Sequence, residues 1–404
     1  MSTLAETGTL IRMVLRRDRV RLPIWIVAIV VTVVGTAAAL PESFPTAEAR
    51  QARAELVDGP AIRMLVGPAF GTDDYSYGAM LHNEVFGTAA VAVALMSIFT
   101  LVRHTRAEEE AGRLELVRSA PVGRHAGLTA ALVVVTGANL IIGALLALLL
   151  PPTISTLSVE GSMLFAAAVT TIGLVFASVA AVMVQVNEFA RAATGTSAAL
   201  MGIAYAVRGF GDVNENFLSW LSPFGWGMQT APWVLDRWWP LLLSLGLVAM
   251  LVPLAYALSV RRDVGAGLTR PRPGTAHASR LLSAPLAMPM RLQRGSIIGW
   301  TIGIVLFGIG IGSVAPSMTD LIEESPQIEQ MIAQMGGTSA DLVDAILSVY
   351  ILFFALVTSI FTVSSIVRMR SEEASGRAEN ILATPVSRLR WAGEYLAVSV
   401  IVST

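Results

Sequence analysis

Long apolar runs alternate with short polar segments along most of the chain. Each run is about 20 residues long and nearly free of charge, which is the length that a helix needs to cross a bilayer core of roughly 30 Å. We predict eight complete membrane-spanning helices and the start of a ninth near Trp391. The eight cover residues 22–40, 86–102, 126–150, 162–186, 192–207, 239–260, 296–315 and 345–367.

The charged residues between these runs are sorted by side. Cytoplasmic loops retain positive residues during membrane insertion. With the N-terminus in the cytoplasm, 23 of the 28 arginines lie on the cytoplasmic side, whereas the outer loops hold many of the acidic residues. The short span 192–207 is needed for this sorting, because without it seven arginines between 261 and 294 would lie outside. The outer arginines are Arg50, Arg53, Arg63, Arg208 and Arg237.

The amino-acid composition excludes several classes of function. Hydrophobic residues make up 54% of the 404 positions, and mean hydropathy is +0.66, values typical of a polytopic membrane protein. The net charge is near −1, and the basic residues do not form a single basic patch, so we expect no nucleic-acid partner. There is no cysteine, and the four histidines share no metal-ligand spacing. All 28 basic residues are arginine, so this chain lacks the lysine that an ATP-binding P-loop requires.

One charged sequence occurs twice. We call RAEEEAGRLELVRSAPVGR, residues 106–124, the first charged stretch, and RSEEASGRAENILATPVSR, residues 370–388, the second charged stretch. Aligned without gaps, they share nine identities in 19 positions, and a fainter match pairs Trp25 with Trp300. This pattern indicates an internal repeat.

The repeat predicts the domain organisation. We expect an all-α polytopic membrane protein built from two parallel six-span halves, with a cytoplasmic N-terminus and a truncated second half. Residues 1–260 would form the first half, residues 261–294 a cytoplasmic linker with a second elbow segment, and residues 295–404 about two and a half spans of the second half. By this expectation, roughly 120 further residues with three more spans complete the second half.

Each charged stretch is predicted to form a short cytoplasmic helix. Glu109 with Arg113, and Glu373 with Arg377, are spaced for pairing across one helical turn. Pro121 and Pro385 would end the helices, since proline disfavours helical geometry in the residue before it. A solvated hairpin explains one such stretch adequately. Two copies in the same topological position favour a docking element.

The two stretches resemble the coupling-helix loops of ABC-2-type exporter permeases. The predicted topology is similar to the twelve-span fused permeases of polyketide-antibiotic (tetronasin-type) and multidrug exporters, and the N-terminal segment LIRMVLRRDRVRLPIW looks like the family's elbow helix. The resemblance implies that the chain is a permease and not itself an enzyme. It implies residues that couple to an ATPase partner: Glu108, Glu109, Gly112, Arg113, Glu115, Pro121, Glu372, Glu373, Gly376, Arg377, Glu379 and Pro385.

The resemblance also implies partners. Two copies of a separate ATP-binding subunit would dock on the two stretches and carry ATP and magnesium, so that this chain needs no cofactor. The permease would lie in the bacterial plasma membrane and export lipophilic compounds such as drugs or polyketide antibiotics. No substrate residue is identifiable from the sequence.

A tryptophan-rich segment separates the fifth and sixth predicted spans. Five of the eight tryptophans occur between residues 220 and 239. An aromatic belt at the outer membrane interface explains them, while the resemblance implies an extracellular gate with a re-entrant turn. The gate residues would be Trp220, Pro223, Phe224, Gly225 and Trp226.

Two other classes of protein remain open. A membrane scaffold or sensor, or a carrier driven by an ion gradient, would share the polytopic pattern. We identify no charged residue deep in a predicted span, which counts against the ion-driven carrier. A neighbouring gene for an ATPase would distinguish the exporter from the scaffold.

Overall fold

Helices form almost all of the secondary structure. The computed structural model describes residues 2–113, 121–262, 266–268, 277, 286–324, 339–374 and 376–403, and these residues contain no β-strand. The prediction of an all-α protein is therefore confirmed. The chain divides into two compact units, Met1–Arg272 and Pro273–Thr404.

The first unit contains long helices joined by short ones. Its α-helices are α1 (Thr7–Arg17), α2 (Arg21–Ser43), α3 (Ala47–Val57), α4 (Pro60–Val66), α5 (Tyr77–His104), α6 (Arg106–Glu110), α7 (Ala126–Thr153), α8 (Val159–Val186), α9 (Ala190–Val213), α10 (Pro223–Met228) and α11 (Pro240–Arg261). Two 3₁₀ helices cover Thr72–Asp74 and Phe217–Leu221.

In the part of the second unit that the structure describes, there are two very long helices and two shorter ones. These helices are α12 (Ala287–Glu324), α13 (Ser339–Ala374), α14 (Arg377–Leu382) and α15 (Arg388–Ser403). Buried Ala378 of α14 packs with Trp391 and Tyr395 of α15, so the turn between α13 and α15 is held by its own small apolar cluster.

The predicted spans all fall on helices. Among the described residues, α2, α5, α7, α8 and α11 are long and apolar enough to cross a membrane, which confirms a multi-pass membrane protein. Helix α9 is longer than the predicted span 192–207 and extends to Val213. Arg208, which we expected in an outer loop, therefore lies within this helix.

Helix α8 forms the centre of the first unit. Of its most apolar stretch, 78% is buried, compared with 17% for α11, which lies at the periphery. The backbones of α7 and α8 approach closely because Gly173 leaves room for the Asn139 side chain. The Asn139 amide donates to Ser97 Oγ of α5 at 2.9 Å, and Thr170 Oγ1 of α8 donates to the Asn139 carbonyl at 3.3 Å.

Helix α1 is amphipathic. Leu10 and Val14, four residues apart on one face, are buried, whereas Arg12 and Arg16 are exposed. Leu10 packs against the start of α7 at Ala126 and Ala130. From the arginine distribution we expect this end of the first unit, where α5, α8 and α11 end, to face the cytoplasm. We call it the cytoplasmic end, and the opposite one the outer end.

Candidate coupling site and outer segment

Helix α6 carries three consecutive glutamates, each bonded to a different element. Glu108 is buried and pairs with Arg17 at the end of α1 (Nη1 to Oε2, 2.6 Å). Arg113 also donates to Glu108 through Nε (2.8 Å) and Nη2 (3.0 Å). These hydrogen bonds raise the pKa of the Arg113 guanidinium. Glu108 thus ties the first charged stretch to helix α1.

Glu109 joins α6 to α11. Its two carboxylate oxygens accept from Arg262, which directly follows α11, at 2.6 and 2.8 Å, and Oε2 also accepts from Arg106 at 2.7 Å. Arg106 is 1% exposed and donates to the Val184 carbonyl near the end of α8 at 2.6 Å. Arg262 also donates to Gln185 Oε1 at 2.6 Å. The pair of Arg262 with Glu109 is bidentate, and both pairs are shielded from water, which makes them strong.

Glu110 joins α6 to α9. Its Oε2 accepts from the backbone N–H of Ala190, the first residue of α9, at 2.9 Å. The residue before α9, Phe189, supplies no side-chain cap. Glu110 therefore acts as a cap supplied by another helix, and its charge is favourable next to the positive end of the helix dipole.

The predicted pairing of Glu109 with Arg113 across one helical turn is wrong, whereas the pairing of Glu373 with Arg377 stays a prediction. Arg113 contacts Glu108 rather than Glu109, because α6 ends at Glu110 and Gly112 takes a left-handed conformation with φ +69°. In the second stretch, Gly376 at φ +73° separates Glu373 in α13 from Arg377, the first residue of α14. A left-handed residue breaks the helical register on which that spacing depends.

The matched positions of the two stretches share local geometry. Arg370 pairs with Glu373 at 2.7 Å between Nη1 and Oε2, the same atoms and distance as for Arg106 and Glu109. The first glutamate of each stretch is buried, with exposures of 9% for Glu108 and 7% for Glu372. The glycine at the matched position is left-handed in each stretch.

The remaining predicted coupling residues are placed as follows. Glu379 and Pro385 in the second stretch are exposed, and so is Pro121 in the first. Glu115 lies outside the described residues. Helix α14 ends at Leu382, three residues before Pro385, so the short helix expected before this proline is present.

The N-terminal segment lies along the end of the first charged stretch. The backbone N–H of Gly123 donates to the Ala5 carbonyl at 3.0 Å, and that of His125 donates to the Thr3 carbonyl at 3.0 Å. A side chain at position 123 would collide with Thr3, so glycine is required for this approach.

The segment between α9 and α11, residues 214–239, enters the helix bundle at the outer end, and we call it the outer segment. Ser222 caps α10, with its Oγ accepting from the Phe224 N–H at 3.2 Å. The Phe224 side chain is fully buried, and its ring lies 5.2 Å from those of Phe176 and Tyr205. Phe176 is 17 residues into α8, roughly 25 Å along the helix. This placement is that of a re-entrant turn.

The predicted gate residues pack closely with one another. Trp226 Nε1 donates to the Trp220 carbonyl at 2.6 Å, and a side chain at Gly225 would collide with the Ser219 carbonyl. Pro223 is buried at the start of α10. The Trp220 ring stacks on Trp239, with centroids 5.1 Å apart. Trp239 is 51% exposed, as an interface aromatic would be.

The sequence reasoning missed a buried ion pair at the outer end. Arg208 and Asp212 of α9 are 0% and 4% exposed. Arg208 Nη1 lies 3.1 Å from Asp212 Oδ2. Arg208 also donates to the Met64 and Leu65 carbonyls of α4 at 3.0 and 3.2 Å, and Asp212 accepts from Ser219 Oγ. The sequence does contain a signal for this ion pair, because a basic and an acidic residue stand four positions apart at the end of an apolar helix.

A cavity of about 290 Å³ opens beside this pair. Arg63 lines this cavity and forms salt bridges with Asp58 and Glu215. The hydrogen bond to Asp58 raises the pKa of the Arg63 guanidinium. The described residues contain no group of three or more histidines or carboxylates placed to hold a metal ion.

Comparison with known proteins assigns the chain to a family. The family described as Multidrug efflux system permease Rv1217c, C-terminal domain, matches residues 282–404. Multidrug efflux system permease protein Rv1217c of Mycobacterium tuberculosis is 41% identical over 397 residues, which cover 97% of this chain and 71% of that protein. Together with the multi-pass helical fold, this similarity shows that the chain is a membrane permease and belongs to the family of the Rv1217c multidrug efflux system permease.

Proposed function

We propose that this permease is the membrane subunit of an ATP-driven exporter of the ABC-2 type. Two copies of a separate ATP-binding subunit bind the two charged stretches, and ATP with magnesium resides on those subunits. Export of lipophilic drugs, or of polyketide antibiotics as the tetronasin-type resemblance implies, is the transport reaction. The proposal includes the twelve-span form with two parallel halves.

The observation that carries the proposal is the matched geometry of the two charged stretches. A left-handed glycine, a buried first glutamate and an Arg–Glu pair of 2.7 Å occur at equivalent positions in each. A solvated loop has no need to reproduce these features, whereas a pair of equivalent docking sites does.

The contacts divide the predicted coupling residues by role. Glu108 and Glu109 face the permease itself and hold the stretch in place. Arg113, with a side chain that is 52% exposed, and the exposed Glu379 are available to a partner. We therefore propose that the first group positions the stretch and that the second group contacts the ATP-binding subunit.

We propose that the outer segment closes the exit of the transport pathway. Supporting this role, α10 packs deep in the bundle with Phe224 between α8 and α9. Ala231, Trp233 and Asp236 have positive φ values of 42°, 62° and 44°. Such strained backbone is typical of sites that change conformation.

Charge reversal tests the docking proposal. The full-length permease is co-purified with a candidate ATP-binding subunit and assayed for drug-stimulated ATPase activity in liposomes. We expect Arg113→Glu with Glu379→Lys to lower subunit recovery and stimulated hydrolysis at least tenfold, because each reversal places like charge at a docking contact. Glu6→Lys, an exposed change in the N-terminal segment, is the matched control.

The outcomes separate the exporter from its alternatives. If the double variant binds the subunit and hydrolyses ATP like wild type, the stretches are not docking sites. If no ATP-binding subunit associates with the wild-type permease, the exporter proposal fails and a scaffold or sensor explains the fold better.

A further inference from the structure

Helix α9 is buried at its two ends, and its middle part contacts the outer segment through Tyr205, whose ring lies against Phe224, and through the Ala204 carbonyl, which accepts from Ser222 Oγ at 2.7 Å. Its buried residues are Ala193 and Ser197 in the first turns and a second group from Arg208 to Asp212 in the last. No residue from 198 to 207 is buried. Among the described residues, nothing lies within 4 Å of where a side chain at Gly195 or Gly202 would begin. The side of α9 that carries these glycines is therefore clear of the other described residues.

The cytoplasmic end of α9 is tied to the first charged stretch. Glu110 of α6 accepts from the Ala190 N–H at 2.9 Å, as described above. The neighbouring glutamates bind other elements, since Glu108 pairs with Arg17 and Glu109 with Arg262. Glu110 is thus the member of the trio that acts on α9.

The outer end of α9 is tied to the segments that surround the exit. Asp212 accepts from Ser219 in the outer segment, and Arg208 donates to carbonyls of α4. Gly211 lies so close to Ser219 that a side chain there would collide with its backbone. Since α9 has 24 residues, these contacts lie roughly 35 Å from Glu110.

We propose that α9 transmits movement of the first charged stretch to the outer segment, with Glu110 as an attachment at its cytoplasmic end and the Asp212–Ser219 contact as one of its attachments at the outer end. Glu110 is a positioning residue in this mechanism, because it acts through the N-terminus of α9. A helix of this length moves as a rigid body when its hydrogen bonds are intact, so displacement at one end appears at the other. The inference rests on the proposed function, which supplies the force at the stretch.

The chain offers a clean background for testing this inference, because it has no cysteine. Spin labels at Phe217→Cys and Val159→Cys report the distance between the outer segment and the start of α8. These side chains are 69% and 61% exposed. The full-length permease with its ATP-binding subunit is measured in nanodiscs, without nucleotide and with Mg·ATP and vanadate, alongside the rate of ATP hydrolysis.

We expect ATP to shift the label distance by several ångströms in wild type. In complexes that retain the ATP-binding subunit, Glu110→Ala should abolish the distance shift, because the cap on α9 is lost. Glu110→Gln, which retains an acceptor, should restore at least half of the shift. Ser219→Ala should reduce the shift by removing one of the outer attachments, and Glu6→Ala should leave it unchanged.

Each alternative result has a distinct meaning. A shift of wild-type size in Glu110→Ala overturns the role of this residue. A wild-type complex that hydrolyses ATP without any shift overturns transmission through α9 while leaving the exporter proposal intact. Absence of ATP hydrolysis by any associated subunit contradicts the proposed function itself.

Discussion

Glu109 is the most tightly bound of the glutamates in the first charged stretch. Its carboxylate accepts from two guanidiniums, and the side chains of Glu109 and Arg262 are only 8% and 10% exposed. Glu373, at the matched position of the second stretch, pairs with Arg370 in solvent, with exposures of 51% and 77%. Identical residues at matched positions therefore differ in how much they contribute to the free energy of unfolding.

We predict that Glu109→Gln destabilises the permease by about 3 kcal/mol, because it leaves two buried guanidiniums without their carboxylate. Glu373→Gln should cost less than about 1 kcal/mol, since exposed ion pairs contribute little. Thermal unfolding in detergent, followed by tryptophan fluorescence, measures both. Equal shifts of the two midpoints would contradict the prediction.

The partner of Glu109 was not predictable from the sequence. Arg262 lies 153 residues away, and local spacing offered Arg113 instead. The left-handed Gly112 breaks that local geometry and leaves Arg113 to Glu108. A pattern of charges identifies a helix turn, whereas the pairing depends on which helix ends the fold brings together.

Helix packing in the first unit depends on where small residues lie. Gly173 of α8 faces the Asn139 side chain, whereas Gly137 of α7 has open space among the described residues. In a membrane there is little hydrophobic drive between helices, so close approach and interhelical hydrogen bonds provide the stabilisation. The contact of α7 with α8 is an example.

We predict that Gly173→Ala destabilises the permease by about 1–3 kcal/mol, because the new methyl group would collide with the Asn139 amide. Gly137→Ala should be neutral or stabilise by about 0.5–1 kcal/mol, since alanine favours a helix more than glycine does. Midpoints of thermal aggregation, read by gel filtration, compare the variants. A larger loss for Gly137→Ala would refute the packing assignment.

The apolar runs were sufficient to predict the long helices, but they underestimated the extent of several of them, including α9. Its polar last turn, with Arg208 and Asp212, looked like a loop because hydropathy falls there. The turn remains helical because each charge is neutralised by the other and by hydrogen bonds to α4 and Ser219. Hydropathy scales report the free energy of transferring isolated residues out of water, and they do not include such compensation by partners.

The arginines predict how the first unit is oriented in the membrane. Both the first charged stretch and the arginine-bearing α1 lie at one end of the first unit, and α4 with the outer segment lies at the other. Insertion retains positive loops in the cytoplasm, so the ends are chemically distinguishable in intact cells.

We predict that a membrane-impermeant maleimide labels Phe217→Cys in intact cells and labels Ala111→Cys only after permeabilisation. Both positions are exposed, and the cysteine-free chain gives no background. Protein gel-shift with a polyethylene-glycol maleimide provides the measurement. Labelling in the reverse order would invert the topology.

The backbone pairing of Thr3 and Ala5 with the segment around Gly123 has a consequence for biosynthesis. The ribosome makes Ala5 about 120 residues before Gly123, which at 5–20 residues per second is an interval of roughly 6 to 24 s. During that interval α2 and α5 are synthesised, while the N-terminal segment has no partner in this contact. This contact can therefore form only after the first charged stretch has been synthesised, so membrane insertion of α2 precedes it.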